Sequence, residues 1–176
     1  MNIVVMGPVG SGKSTQAQLL ASNLGISLFN AGDLLHFLSM EDTKEGKEIQ
    51  RAMKTGALVD DKLVLSHVEA HLKGEEHKNG VIIDGFPRSL SQAENFSFPI
   101  DKVIYLKVSD RVNKERLLKR ERNDDTSEII DKRLNLYHKE TEPILNYYRK
   151  KGVLIEIDGE RPVSIIFEDI KREMGI

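Results

Sequence analysis

The chain has 176 residues and no cysteine, so disulfides and a thiolate zinc site are excluded. Lys and Arg total 26 against 28 Asp and Glu, a formal net charge of −2 that supplies no basic field to recruit nucleic acid. With 39% hydrophobic and 31% charged residues the composition is that of one globular domain, and no apolar run reaches membrane-spanning length. Ile3-Val4-Val5-Met6 is apolar on both faces and predicts a buried strand. It begins without a secretory leader, which makes the cytoplasm the expected location. Gly7-Pro8-Val9-Gly10-Ser11-Gly12-Lys13-Ser14-Thr15 follows, with Gly, four residues, then Gly-Lys-Ser. Ala17, Leu20, Ala21 and Leu24 continue at helical spacing, and Gly25 is placed to end the helix. Strand, glycine loop and helix thus occur in the order that cradles phosphates. Gly10 and Gly12 let N–H groups turn inward at a helix N-terminus. Lys13 would reach the terminal phosphates and the Ser14 hydroxyl would ligate Mg²⁺. This stretch predicts a nucleoside triphosphate site.

Ile26 to Phe29 predicts a second strand, and Asn30-Ala31-Gly32-Asp33 a helix entry. Ile49, Ala52 and Met53 mark another helix, capped by Gly56. Asp60 or Asp61 opens a helix to about Leu72, with Val64, Val68 and Leu72 on its apolar stripe. Val81-Ile82-Ile83-Asp84 is a buried strand ending in an acid, and Val103 to Leu106 is the next strand. A charged helix starts near Asp110. From Ser127 a long helical pattern runs through Ile130, Leu134, Tyr137, Ile144 and Tyr148, with Pro143 expected to kink it. Val153 to Ile157 is a fifth strand, and Val163, Ile166, Phe167 and Ile170 line a last helix. Alternating strands and helices predict an α/β fold of parallel βαβ units, with ligands beyond the strand C-termini. The glycine loop and Asp84 both fall there. Asp84 is the expected second acid of a phosphate-loop site, with a turn or cap acid as its competing reading.

Asp84-Gly85-Phe86-Pro87-Arg88 with Gln92-Ala93 sharpens the reading, as do Gly32-Asp33-Leu34-Leu35 and Gly56-Ala57-Leu58-Val59. Arg122-Asn123-Asp124-Asp125, Arg133-Leu134, Thr141-Glu142-Pro143 and Tyr147-Tyr148 extend the pattern over nearly the whole chain. It resembles the adenylate kinases and related nucleoside monophosphate kinases. The resemblance implies a P-loop NTPase-type three-layer αβα fold, with a five-stranded parallel sheet in the order 2-3-1-4-5 and helices on both faces. It divides the single domain into a core (1–30, 60–119 and 127–176), an acceptor-binding excursion (31–59) and a short lid (120–126). The implied reaction is Mg²⁺-dependent transfer of the ATP γ-phosphoryl to a nucleoside monophosphate, AMP first. A pyrimidine monophosphate kinase, or a nucleotide-binding regulator with a decayed acceptor site, is the alternative.

The resemblance assigns ATP to Gly10, Ser11, Gly12, Lys13, Ser14, Thr15, Arg116 and Arg120. It assigns the acceptor to Ala31, Gly32, His36, Gly56, Ala57, Leu58, Val59, Gly85, Arg88 and Gln92. Lys13, Arg88, Arg122 and Arg133 carry catalysis, and Ser14 and Asp84 hold Mg²⁺, partly through water. An ionised acceptor phosphate needs no general base, whereas two approaching anions need positioning and fixed positive charge. Arg116 and Arg120 sit among Asp110, Glu115 and Glu121, so a solvated helix face competes for them. For Gln92 the rival to base reading is a capping box, Ser89-x-x-Gln92, with its amide folded back on Ser89. Two positions depart from the family: Ala31 where Thr is usual, and His36 where Arg is usual. The pyrimidine branch shares the alanine but lacks a counterpart of Gln92. His67 and His71, four apart with no evident third ligand, read as structural, and no structural zinc is expected. Small-molecule nucleotides are the expected partners, with neither nucleic acid nor membrane. Oligomeric state stays open.

Overall fold

A computed structural model describes residues 1–119 and 126–176. Five strands form one sheet: β1 (Asn2–Met6), β2 (Ser27–Asn30), β3 (Val81–Asp84), β4 (Lys102–Lys107) and β5 (Leu154–Asp158). All pairings are parallel, in the order β2-β3-β1-β4-β5 expected from the sequence. Parallel pairing demands crossovers, and the helices that make them cover both faces. Strand alternation sorts the core into two layers. Ile3 and Val5 point to the side of α1 (Lys13–Leu24) and α9 (Val163–Met174), meeting Leu20, Ile166 and Ile170. Val4 and Met6 point to the other side, where α4 (Asp61–Leu72), α5 (Leu90–Asn95) and α8 (Pro143–Lys150) contribute Val68, Ala93 and Ile144. Among the described residues no helix is long and apolar enough to cross a membrane.

Register brings the chemistry together at one end of the sheet. Asp84, the last residue of β3, pairs with Val5 of β1 and with Asn30 of β2. The glycine loop leaves β1 beside it. At Gly10 the backbone has φ +85, and a Cβ would stand 2.9 Å from Leu117 Cγ and 3.0 Å from the Asn113 carbonyl of α6 (Asp110–Lys119). Only glycine permits both that conformation and that approach. Gly25 and Gly56 cap their helices in the left-handed conformation as expected. Asn30 caps α2 (Ala31–Ser39), its side chain accepting from the N–H groups of Gly32 and Asp33. α3 (Lys44–Thr55) packs back on α2 where Gly46 leaves room for the carbonyls of Leu38 and Glu41.

The long pattern after Ser127 is not one kinked helix. α7 (Ser127–Leu136) runs into a π-helical turn (Tyr137–Thr141), and Pro143 then starts α8 as its first residue. Proline lacks an N–H to continue the ladder but suits a first helical position, so the chain breaks rather than bends. The turn carries His138, whose Nδ1 lies 2.8 Å from Glu142 Oε2 and whose Nε2 lies 2.9 Å from Asp110 Oδ1. The hydrogen bond to Glu142 raises the His138 pKa, burial opposes it, and Asp110 adds to the rise. The stability from this clip is complete below the unfolded pKa of about 6.5 and is lost as pH rises through the higher folded value. Solvent screens the half-exposed pair, so the effect is small. The melting-temperature gap between wild type and His138→Gln should narrow from about pH 6 to about pH 8. A constant gap over that range would refute the ionic clip.

Candidate active site

At the donor end, Lys13 is the first residue of α1, and its Nζ lies 3.5 Å from the Pro8 carbonyl across the loop. Gly12 caps the helix with φ 89 and makes no side-chain cap, which leaves the first-turn N–H groups open to an anion. Ser11 is 1% exposed, and its hydroxyl has no partner among the described residues. Arg116 does not lie on a purely solvated face. Its Nη1 donates to the Gly159 carbonyl at 2.9 Å and to the Ser11 carbonyl at 3.4 Å, bracing the loop from α6.

Asp84 is 2% exposed. Its Oδ2 accepts from Ser14 Oγ at 2.5 Å and from Asn30 Nδ2 at 3.0 Å, while Oδ1 is buried with no partner among the described residues. It caps no backbone, so the turn-acid reading is set aside. A buried carboxylate with an orphan oxygen beside a hydroxyl is a hard-oxygen donor set that fits Mg²⁺.

The acceptor end opens as a cleft of ≈ 430 Å³. It is lined by Lys13, Arg88 and Arg133 together with Ala31, Gly32, Gly56, Ala57, Leu58, Val59, Gly85 and Gln92. Arg88 follows a loop that turns at Gly85 (φ +83) and contains a cis Phe86–Pro87 peptide. Three contacts seat it: Nε donates to the Gly85 carbonyl at 2.8 Å, its N–H to Gln92 Oε1 at 2.7 Å, and its carbonyl accepts from Thr141 Oγ1 at 2.8 Å. The cleft leaves part of Arg88 open, yet protein crowds its other sides. Desolvation lowers its pKa, Asp84 opposes that and Arg133 adds to it. A guanidinium stays charged throughout. Among its described lining residues the cleft has three cations and neither carboxylate nor imidazole. It is built for anions.

Gln92 serves the fold with half of its amide. The residue is 3% exposed, and its N–H donates to Ser89 Oγ at 3.1 Å, forming the first half of the capping box. The amide reaches back to the N–H of Arg88 rather than that of Ser89, and its Nε2 donates to Asp61 Oδ1 at 2.8 Å. One lone pair and one N–H remain for a ligand edge. Asp61, read from sequence only as a helix opener, also accepts from Ser89 Oγ at 2.6 Å and so holds this corner together. Nothing local signals that role, because the partner lies 31 residues away. Asn30 was legible as a helix entry but not as the brace of Asp84. Leu35, Met53, Val64 and Tyr137 also line the cleft and were legible only as apolar stripe or core.

Other expected residues fall elsewhere. His36 is exposed on α2 and does not line the cleft. Gly10, Ser11, Gly12, Ser14 and Thr15 belong to the loop and the first turn of α1 and are not among the residues that line the cleft. Arg120 and Arg122, with the Asn123-Asp124-Asp125 stretch, lie outside the described residues.

A family model described as adenylate kinase matches residues 5–153. The chain is 39% identical to the adenylate kinase of Prochlorococcus marinus (strain MIT 9211), over 99% of this chain and 97% of that protein. It is 34% identical to the adenylate kinase of Methanosarcina mazei, over 97% of each chain. Adenylate kinase 1 of a Nostoc species is 37% identical over 98% of each. Phosphate loop, buried acid, cationic cleft and similarity along nearly its full length agree: the chain belongs to the adenylate kinase family.

Proposed function

We propose that this protein is an ATP:AMP phosphotransferase that interconverts ATP plus AMP with two ADP. The observation that carries the reading is the cleft itself, where cations from the donor loop and from the acceptor wall line one cavity that holds no acid among its described residues. An AMP phosphate oxygen attacks the γ-phosphorus as the bond to the β–γ bridging oxygen breaks, leaving ADP at both ends. The acceptor is already ionised, so the barrier is electrostatic and orientational rather than one of proton transfer.

In this reading Gly10, Ser11, Gly12, Ser14 and Thr15 cradle the ATP phosphates, Lys13 follows the γ-phosphoryl, and Arg116 keeps the loop in place. Ser14 and Asp84 would hold Mg²⁺, which when bound neutralises charge on the transferring phosphates. Arg88 grips the acceptor phosphate by its fork, and Arg133 faces the phosphates from α7. Ala31, Gly32 and Gly56 to Val59 form the acceptor pocket, and Gln92 offers adenine its remaining donor and acceptor. Residues 31–59 then act as the acceptor-binding excursion, with His36 at its outer face. Residues 120–126, with Arg120 and Arg122, act as a short lid. The alignment to the Methanosarcina protein spans 208 positions, more than this chain possesses, which supports a form with less inserted sequence. The relatives named adenylate kinase support AMP over a pyrimidine acceptor, although Ala31 is shared with the pyrimidine branch.

The test is a coupled assay of ADP formation from MgATP with AMP, CMP, UMP or GMP. AMP should be turned over fastest. ATP binding without ADP formation from any acceptor would overturn the enzyme reading, and turnover of CMP or UMP with AMP inert would move it to the pyrimidine class.

A further inference from the structure

At the opposite end of the sheet from the cleft, the chain gathers three metal-ligating side chains with no role in phosphoryl transfer. His71 lies in the last turn of α4, and Glu76 and His77 form a 3-10 turn (Glu75–His77) leading into β3. One ligand atom from each lies within 4.8 Å of the others. We infer that His71, Glu76 and His77 form a binding site for one divalent first-row transition ion, zinc foremost, that clamps the end of α4 to the edge of the sheet.

His77 is held as an oriented ligand would be. It is 6% exposed, and its Nδ1 lies 2.6 Å from Ser27 Oγ on the edge strand β2. The Ser27 hydroxyl also donates to the Gly80 carbonyl at 3.0 Å. A serine has a single hydrogen to give, so both contacts form together only when His77 carries its proton on Nδ1 and donates it to Ser27. That tautomer leaves a lone pair on Nε2, which is buried with no hydrogen-bond partner among the described residues. An N–H anchored to an oxygen behind the ring, with the other nitrogen bare in front, is how proteins orient a metal-binding histidine.

The bare nitrogen lies 3.7 Å from Glu76 Oε1, too far for a hydrogen bond. Two ligands of one tetrahedral zinc stand roughly 3.3 Å apart, so small rotations of two exposed side chains close the set. The Glu76 carboxylate lies over Gly74, 2.5–2.6 Å from where a Cβ would stand, and as the end of an exposed side chain it can swing toward the ring. Two imidazoles and a carboxylate suit zinc with a water in the fourth position, and the exposed His71 and Glu76 leave a path from solvent. Ser27 pairs with Val81, at the other end of β2 and β3 from Asn30 and Asp84. An ion here would be structural.

The experiment uses the full chain stripped with a chelator, then titrated with Co²⁺ and Zn²⁺ under about 5 mM Mg²⁺ to keep the hard-oxygen site occupied. One equivalent of Co²⁺ should bind with visible d–d bands, be displaced by Zn²⁺, and have a dissociation constant on the order of micromolar or tighter. At about a hundredfold excess of free Zn²⁺ over that constant the melting temperature should rise by roughly 5–10 °C. His71→Gln and Glu76→Gln, both at exposed positions, should each weaken Zn²⁺ binding more than about tenfold. Failure of the wild type to bind Co²⁺ or Zn²⁺, or wild-type affinity in a His71→Gln/Glu76→Gln double variant, would overturn the site.

Discussion

Arg88→Ala should lower kcat/KM for AMP by on the order of 10³, with most of the loss appearing in turnover. Arg88 sits on a loop whose backbone is held independently of its side chain, through Gln92 Oε1 on its N–H and Thr141 Oγ1 on its carbonyl. Truncation therefore leaves the loop seated and removes the guanidinium together with one hydrogen bond, Nε to the Gly85 carbonyl. The stability cost is about 1–2 kcal/mol, a fall of only a few degrees in melting temperature. Arg88→Lys is the sharper control. Lysine restores the charge but lacks the planar fork, so it should recover less than about tenfold of the lost rate. Full recovery by lysine would mean the cleft needs only a positive potential there. Steady-state kinetics in AMP and a melting curve for each variant separate the outcomes.

The legibility of this protein in its sequence follows the range over which each feature is specified. The phosphate loop, the β3 acid and the capping glycines are written in adjacent residues, and β1, α1 and β3 stand where the pattern placed them. Parallel alternation with the family resemblance sufficed for the sheet order. Pro143 was correctly seen as a disturbance, but whether proline bends one helix or starts another depends on the π-helical turn before it, and that turn has no compositional mark. Gln92 is the clearest case at the site. Its spacing to Ser89 predicted a box, and the box forms only by half, because the amide is drawn to Asp61 and to the N–H of Arg88. His77 was invisible as a ligand because its orienting partner, Ser27, is 50 residues away. Long-range side-chain pairs of this kind are set by register, and register is settled by packing of the whole sheet. His36 shows the reverse limit. The family resemblance assigns it to the acceptor phosphate, while on α2 it is exposed and does not line the cleft.

Asp84→Asn should lower kcat by roughly 10²–10³ and raise the Mg²⁺ concentration needed for half-maximal rate, while leaving the fold as stable as before or more so. The sign of the stability change follows from the site. Asp84 is buried at the end of β3 with Oδ2 satisfied by Ser14 and Asn30, and with Oδ1 unpartnered among the described residues. A buried anion with two neutral hydrogen-bond donors is costly to the fold, and attraction to the Arg88 guanidinium offsets part of that cost. Asparagine keeps an oxygen for Ser14 and Asn30 and removes the charge, at the cost of one buried N–H₂ group in place of the orphan oxygen. The two terms oppose each other and are each a few kcal/mol, so melting temperature should not fall appreciably. Function has no such compensation. The neutral amide supplies neither the charge nor the second hard oxygen that a divalent cation requires, so rate and Mg²⁺ dependence should move together. A variant with wild-type Mg²⁺ dependence would remove Asp84 from the metal site. A strongly destabilised variant would show instead that the carboxylate is present for the fold.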